Sequence, residues 1–320
     1  MNGTTRRTFL GGAGAAAAAY AVGPGFAADL ATSGFKVAVI TDEISQDFDH
    51  ACSVAAKDFG VHWVELRGMW NKNIMALTDT EIGEAQKVLA KYNLRVTDIA
   101  SPLFKVDWPG APKSPYSPKT DTFKADFTFK QQDEILEKSV GLAKQFKTDK
   151  VRGFDFWRLD DVTPYRSEID NKLKEAAEVF RSKGVLFVLE NEYECNTATA
   201  RESVHTLNAV QSPAFVLNWD PGNAVMRGEL DAFPVGWDLL PKNRIRHCHV
   251  KNAVKDAAGK MHWAPVGTGY VDWAAQFRAL RKAGYHDAVS LETHWKGGDG
   301  PEASSRASWD GMKKALDASV

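Results

Sequence analysis

Short apolar runs recur along this chain, and each is followed by a longer amphipathic segment. The runs occupy 35–41 (FKVAVIT), 61–66 (VHWVEL), 94–100 (LRVTDIA), 150–156 (KVRGFDF), 184–190 (GVLFVLE), 215–219 (FVLNW), 244–249 (RIRHCH) and 288–292 (AVSLE). Runs of this length, bounded by glycine or polar residues, read as strands. VLFVL has no alternation and reads as a strand buried on both faces. Helix signals fill the gaps. Asp47 caps a helix to about Phe59, and Gly60 stops it. Thr78 opens a helix to about Tyr92 with Ile82, Ala85, Val88 and Leu89 on one face. Further helices are predicted over 127–146, 167–183, 199–210, briefly near Trp237, over 272–283 with Gly284 as its stop, and over 304–318. Strand and helix thus alternate about eight times, and no glycine-rich dinucleotide fingerprint follows the first strand. The pattern predicts one α/β domain, a (β/α)₈ barrel spanning 28–320, rather than a doubly wound sheet. The Pro-, Lys- and Ser-rich stretch 106–123 is a loop of a length that is usually functional or mobile.

Charge narrows the partners. The formal net charge is -1, which gives no electrostatic case for nucleic acid or an anionic membrane surface. Cys52, Cys195 and Cys248 are too few and too scattered for a disulfide framework or a CxxC zinc site. At the N-terminus, Thr5-Arg6-Arg7-Thr8-Phe9-Leu10 precedes a mild Gly/Ala-rich run to about Val22, and Gly25-Phe26-Ala27 offers a small-x-small cleavage site. Residues 1–27 are therefore read as a twin-arginine export signal. The expectation is a periplasmic protein that meets the twin-arginine translocase during export and makes no stable membrane insertion, the run being too short and mild to span. The sequence leaves a homo-oligomer open.

The candidate chemistry sits where the strands stop. Glu190, Asn191 and Glu192 end one strand-like run, Asp220 another, His249 a third and Glu292 a fourth. Charged groups seldom end a fully buried strand unless something pairs with them. In a barrel, strand ends distant in sequence converge on one mouth, so three carboxylates and an imidazole make a divalent-metal site.

The ordered motifs TDEISQD (41–47), VELRG (64–68), IASPLFK (99–105), VLENE (188–192), NWDPGN (218–223), RHCHVKN (246–252), PVGTGYVDW (265–273) and SLETHW (290–295) carry a resemblance. In this order the chain resembles the xylose isomerase-like TIM barrel superfamily of sugar phosphate isomerases and epimerases, over about residues 35–318. The resemblance implies a metal held by Glu190, Asp220, His249 and Glu292, with His249 rather than His247 as the ligand of strand seven. It also shows departures, Asn223 where many relatives carry histidine and Asn252 where many carry aspartate.

The donor set suits Mn²⁺ first, with Mg²⁺, Co²⁺ or Zn²⁺ also accommodated. Such an ion on a carbonyl and the neighbouring hydroxyl acidifies the proton between them and holds the enediolate charge. Glu190 and Glu292 are the acid/base pair. Lys251, two residues past His249, points the same way on an extended strand and is the third catalytic candidate. Arg67, Lys105, Arg152, Trp157, Glu192, Asn223, His247 and His294 are candidate substrate contacts, with Glu65 and Asp98 as buried partners of the cations. Trp70, Trp108 and Trp295 join Trp157 in top-face loops. Gly267-Thr268-Gly269 is either a turn or a phosphate cradle. These residues predict a metal-dependent isomerase or epimerase acting on a small carbohydrate that, in an exported protein, is not phosphorylated. The same set supports a lyase that eliminates the aglycone of a 3-keto-glycoside. A non-catalytic periplasmic sugar-binding protein on the same barrel is the reading of another class.

Overall fold

The computed structural model describes residues 34–117 and 127–320. The export signal at 1–27 lies outside the described residues, as does the end of the 106–123 loop.

Eight parallel strands form one sheet. They are β1 (Lys36–Val39), β2 (Trp63–Leu66), β3 (Arg95–Leu103), β4 (Lys150–Gly153), β5 (Leu186–Glu190), β6 (Phe215–Trp219), β7 (Ile245–Val250) and β8 (Ala288–Leu291). Their order is β1-β8-β7-β6-β5-β4-β3-β2. The parallel bridge Ile40–Glu65 joins β1 to β2 and closes the ring. A helix follows each strand: α1 (Phe48–Ser53), α2 (Asp79–Lys91), α3 (Gln132–Gln145), α4 (Arg166–Ser182), α5 (Ala200–Ala209), α6 (Pro221–Met226), α7 (Trp273–Lys282) and α8 (Pro301–Asp317). The predicted (β/α)₈ barrel is the observed fold.

Local chemistry explains the boundaries. Thr78 and Thr199 cap α2 and α5, each with a glutamate three residues on that reaches back to the cap nitrogen. Gly184 leaves α4 at φ 71°, a conformation that glycine adopts without strain. The outer ring closes where Trp309 of α8 stacks on Phe59 at 4.9 Å.

Three features depart from the expectations. The 47–59 helix is an α-helical turn followed by a π-helical one at Val54–Asp58. β3 runs on through Ser101-Pro102 to Leu103. An antiparallel hairpin, Asn252–Lys255 with Met261–Ala264, stands between β7 and α7. Its short, half-polar strands alternate weakly and carry almost no periodic signal.

The lower end of the barrel is stapled by ions. Asp287, just before β8, meets Arg246 of β7 at 2.6 Å, Lys150 of β4 at 3.2 Å and Lys36 of β1 at 3.6 Å. Burial works against the Asp287 carboxylate, but Lys150 and Arg246 hold it below the usual aspartate range. A depressed carboxylate stabilises the fold above its unfolded pKa and loses that stability as pH falls through the native value. Asp287→Asn should therefore lower unfolding free energy by roughly 1–3 kcal/mol at pH 7. The gap to the wild type should shrink once pH falls below about 4, measured by urea denaturation across pH. A gap that is constant with pH would show that the charge is irrelevant there.

Candidate metal centre

Backbone geometry places the site. Glu190 is the last residue of β5, Asp220 follows β6, His249 lies in β7 and Glu292 follows β8. Asp220 is also the N-cap of α6, where Oδ1 accepts the Asn223 N–H at 2.9 Å. That bond leaves Oδ2 turned to the barrel axis. Gly222 is required beside it, because a Cβ there would sit 2.7 Å from Cγ of Lys251.

The four side chains converge. Their donor atoms lie within 4.8 Å of one another, and all four residues are buried. His249 Nδ1 stands 3.0 Å from Glu190 Oε1, 3.1 Å from Glu292 Oε2 and 3.7 Å from Asp220 Oδ2. Donors held at about 2.1 Å from one ion stand roughly 3.0–3.4 Å apart, so the two shorter separations match ligands around a shared cation, with Asp220 a little farther out. The opposite ring nitrogen, Nε2, lies 3.0 Å from Glu65 Oε1. A neutral imidazole that donates from Nε2 presents only a lone pair at Nδ1. A lone pair facing three carboxylate oxygens needs a positive charge among them. Burial alone would strip the proton from His249. The carboxylates of Glu65, Glu190 and Glu292 outweigh burial and raise its pKa well above the usual value, so either a ring proton or a bound cation must answer the oxygens at Nδ1. Asn223 adds a buried Oδ1 with no partner, beside an amide that donates to Glu190 Oε1 and Asp220 Oδ2 at 3.1 Å each. The oxygen-rich donor set and the excess of buried negative charge fit a divalent ion.

Fixed cations handle the remaining charge. Lys251 Nζ lies 2.6 Å from Glu292 Oε2 and 2.9 Å from Asp220 Oδ2. Arg152 meets Glu190 Oε2 at 2.7 Å, and Arg67 meets Glu292 Oε1 at 3.1 Å. Burial raises the pKa of Glu190, but His249 and Arg152 pull it down to about 2. Burial likewise opposes ionisation of Glu292, and Lys251 with His294 and His249 holds it well below the usual range. Burial dominates at Asp220 and leaves its pKa raised despite Lys251.

A cavity of about 940 Å³ opens above this centre. Its wall includes Arg67, Lys105, Arg152, Trp157, Glu192, Glu292 and His294, together with Phe154, Tyr193, Trp263 and Trp295. Lys105 Nζ lies 3.3 Å from Glu192. Two expected substrate contacts are not on the wall. Asn223 is fully buried beneath the ligands, and His247 is fully buried with its Nε2 on Glu65. Glu65, expected to serve a cation, holds both histidines instead. Trp70 packs edge-on against Phe48, and Trp108 against Phe129 and Phe156, so neither lines the cavity. Gly267-Thr268-Gly269 is a turn, where Thr268 bonds back to Pro265 O. Asn252 serves the backbone, with Oδ1 accepting from Ala253 and Val271. Sequence reading missed Trp263, whose ring lies 5.0 Å from Lys251 Nζ and 5.2 Å from the His294 ring. Its only signal was position, on a hairpin that the pattern did not reveal.

The model of the family described as xylose isomerase-like TIM barrel matches residues 54–315. The chain belongs to this family. Among curated proteins, an L-ribulose 3-epimerase of Mesorhizobium japonicum (strain LMG 29417 / CECT 9101 / MAFF 303099) is 29% identical over 175 residues. That match covers 50% of this chain and 53% of the epimerase, so the chain spans about half the length of this curated relative. Among solved structures, the probable 3-DHS dehydratase AsbF of Bacillus anthracis superposes with a TM-score of 0.63 at 22% identity, over 87% of this chain and 98% of that one. A xylose isomerase-like TIM barrel protein of Mycobacterium smegmatis in complex with magnesium gives a TM-score of 0.58 at 18% identity, over 85% and 89%. These two likenesses establish the barrel. No helix among the described residues is long and apolar enough to cross a membrane.

Elemental analysis of this xylose isomerase-like barrel should find close to one divalent ion per chain. Glu190→Ala, Asp220→Ala, His249→Ala and Glu292→Ala should each lose most of it while remaining folded by circular dichroism. Full metal content in all four variants would remove the centre.

Proposed function

We propose that this chain is a metal-dependent carbohydrate isomerase or epimerase that shifts a proton through an enediolate, on a non-phosphorylated sugar or sugar derivative. The observation that carries this reading is the divided use of the two glutamates. Glu190 turns Oε1 to His249 and Oε2 to Arg152, while Glu292 turns Oε2 to His249 and Oε1 to Arg67. Each thus has one oxygen at the cation position and one on an arginine of the cavity wall. Glu292 lines the cavity and Glu190 lies buried beside it on the other side of His249, so a substrate carbon bound at the centre would have a carboxylate on either side. One takes its proton and the other returns it. Lys251 Nζ, which already donates to Glu292, is placed to donate to a substrate oxygen as charge develops. A bound divalent ion supplies Lewis acidity that acidifies the carbon-bound proton. Mn²⁺ suits the donor set first, then Mg²⁺, Co²⁺ or Zn²⁺. The likeness to an L-ribulose 3-epimerase supports the epimerase label. Proton return to the other face of the same carbon is epimerisation, and return to the neighbouring carbon is isomerisation.

One observation favours a second reading. A cavity of about 940 Å³ lies at the upper end of the range for drug-sized ligands and is far larger than one sugar ring requires. Trp157, Trp263, Trp295 and Phe154 on its wall suit a second, apolar ring. Elimination of the aglycone from a 3-keto-glycoside uses the same proton removal, and the likeness to a dehydratase supports an elimination. In either case we place the protein in the periplasm after twin-arginine export, on the strength of Arg6-Arg7 and the mild apolar run behind them.

Incubation with keto- and aldo-sugars in D₂O should give deuterium incorporation that a chelator abolishes. Glu190→Gln and Glu292→Gln should slow it by about 10²–10⁴-fold. Release of aglycone from keto-glycosides, without exchange into free sugars, would select the lyase. Tight sugar binding with neither exchange nor turnover would leave a binding protein.

A further inference from the structure

Glu65 touches neither the cavity nor the proposed ion position, yet it is fully buried inside the barrel. Its carboxylate spans the interior from β2 to β7, three strands away around the ring. Oε1 lies 3.0 Å from Nε2 of His249, and Oε2 lies 3.1 Å from Nε2 of His247. The backbone is arranged for this reach. The β2–β3 register shifts here, because β3 carries one extra residue, Thr97-Asp98 opposing the single Glu65 between the pairs Val64–Val96 and Leu66–Ile99. The same residue makes the bridge to Ile40 that closes the barrel. Bulges beside active sites characteristically re-aim a side chain.

We infer that Glu65 is a positioning residue for the metal centre, an assignment that rests on the metal reading of that site. Accepting the Nε2 proton of His249 fixes the tautomer and leaves the Nδ1 lone pair toward Glu190, Asp220 and Glu292. Holding His247 with its other oxygen pins the carboxylate, so the His249 ring plane cannot rotate. His247 thereby acts on Glu65, which explains why a residue with no access to the cavity carries an imidazole. A neutral glutamine cannot repeat this. It has one acceptor oxygen, and its amide would present N–H to the other ring nitrogen, forcing one histidine into the opposite tautomer.

The test is titration of metal-free protein with Co²⁺ against a competing chelator, in wild type, Glu65→Gln, Glu65→Asp and His247→Gln. Thermal unfolding of each metal-free form and the visible Co²⁺ spectrum are recorded alongside. Glu65→Gln should bind Co²⁺ about 10–100-fold more weakly, with an altered visible spectrum and a circular dichroism spectrum like the wild type. Glu65→Asp, whose shorter side chain cannot reach both rings, should do the same if the glutamine variant does not fold. His247→Gln should weaken binding less than Glu65→Gln does. Wild-type Co²⁺ affinity and spectrum in a folded Glu65 variant, even one of lower melting temperature, would reduce Glu65 to a structural role and overturn the assignment. Failure of the wild type itself to bind Co²⁺, Mn²⁺ or Zn²⁺ would overturn the metal reading and this assignment with it.

Discussion

The mouth of this barrel gathers more negative charge than a dry interior tolerates. Asp42, Glu65, Asp98, Glu190, Asp220 and Glu292 are all buried there. Removing a carboxylate from water costs several kcal/mol even after relaxation, so each must be paired, protonated or placed on a cation. Pairing comes first. Arg67 spans Asp42, Glu43 and Glu292, Arg152 holds Glu190, and Lys251 holds Asp220 and Glu292. Burial pushes Asp42 and Asp98 up to about 6, which brings their protonation within reach of mildly acidic pH. The charge is densest where His249 Nδ1 faces three oxygens, two of them shared with Lys251. Four buried carboxylates around one imidazole suit a divalent ion in place of a proton on that ring.

Backbone devices sharpen that arrangement at the atomic scale. Parallel strands bring the four ligands to one end. Finer aim comes from single residues: the Asp220 cap selects which carboxylate oxygen turns inward, Gly222 lets the Lys251 chain pass, and Glu65 reaches across the barrel from opposite a bulge in β3. Each spends local regularity for direction. The result is a ligand set on strand ends and helix starts rather than on long loops, which limits how far a donor can drift.

Eight alternating strands and helices were legible because hydrophobic period and glycine stops act locally. The ligand candidates were legible too, since a charged residue at the end of an apolar run contradicts its surroundings. What could not be read were relations across the barrel. Glu65 and His247 look like an ordinary strand acid and a second histidine, and only the ring order of the strands brings them together. Asn223 stands where many relatives carry a histidine, and that resemblance alone suggested a substrate contact. Its amide in fact closes on Glu190 and Asp220 from beneath. The hairpin bearing Trp263 escaped because short, half-polar strands have almost no periodic signature.

The shared use of these side chains decides which substitutions are informative. Glu190→Ala leaves Arg152 buried without its carboxylate, and an uncompensated buried charge destabilises the fold by about 3–5 kcal/mol. Asp220→Ala removes a helix cap as well as a donor, a further loss of about 1 kcal/mol. Loss of metal in such variants therefore mixes ligation with folding. Amide isosteres separate the two, because they keep shape and half of the hydrogen bonds while deleting the charge. At Glu190, glutamine can still turn its oxygen to Arg152, but its amide then faces the His249 side of the site. The stabilising contact survives and the ligand does not. The division of each glutamate between an arginine and the cation position is what makes fold and chemistry separable in this barrel.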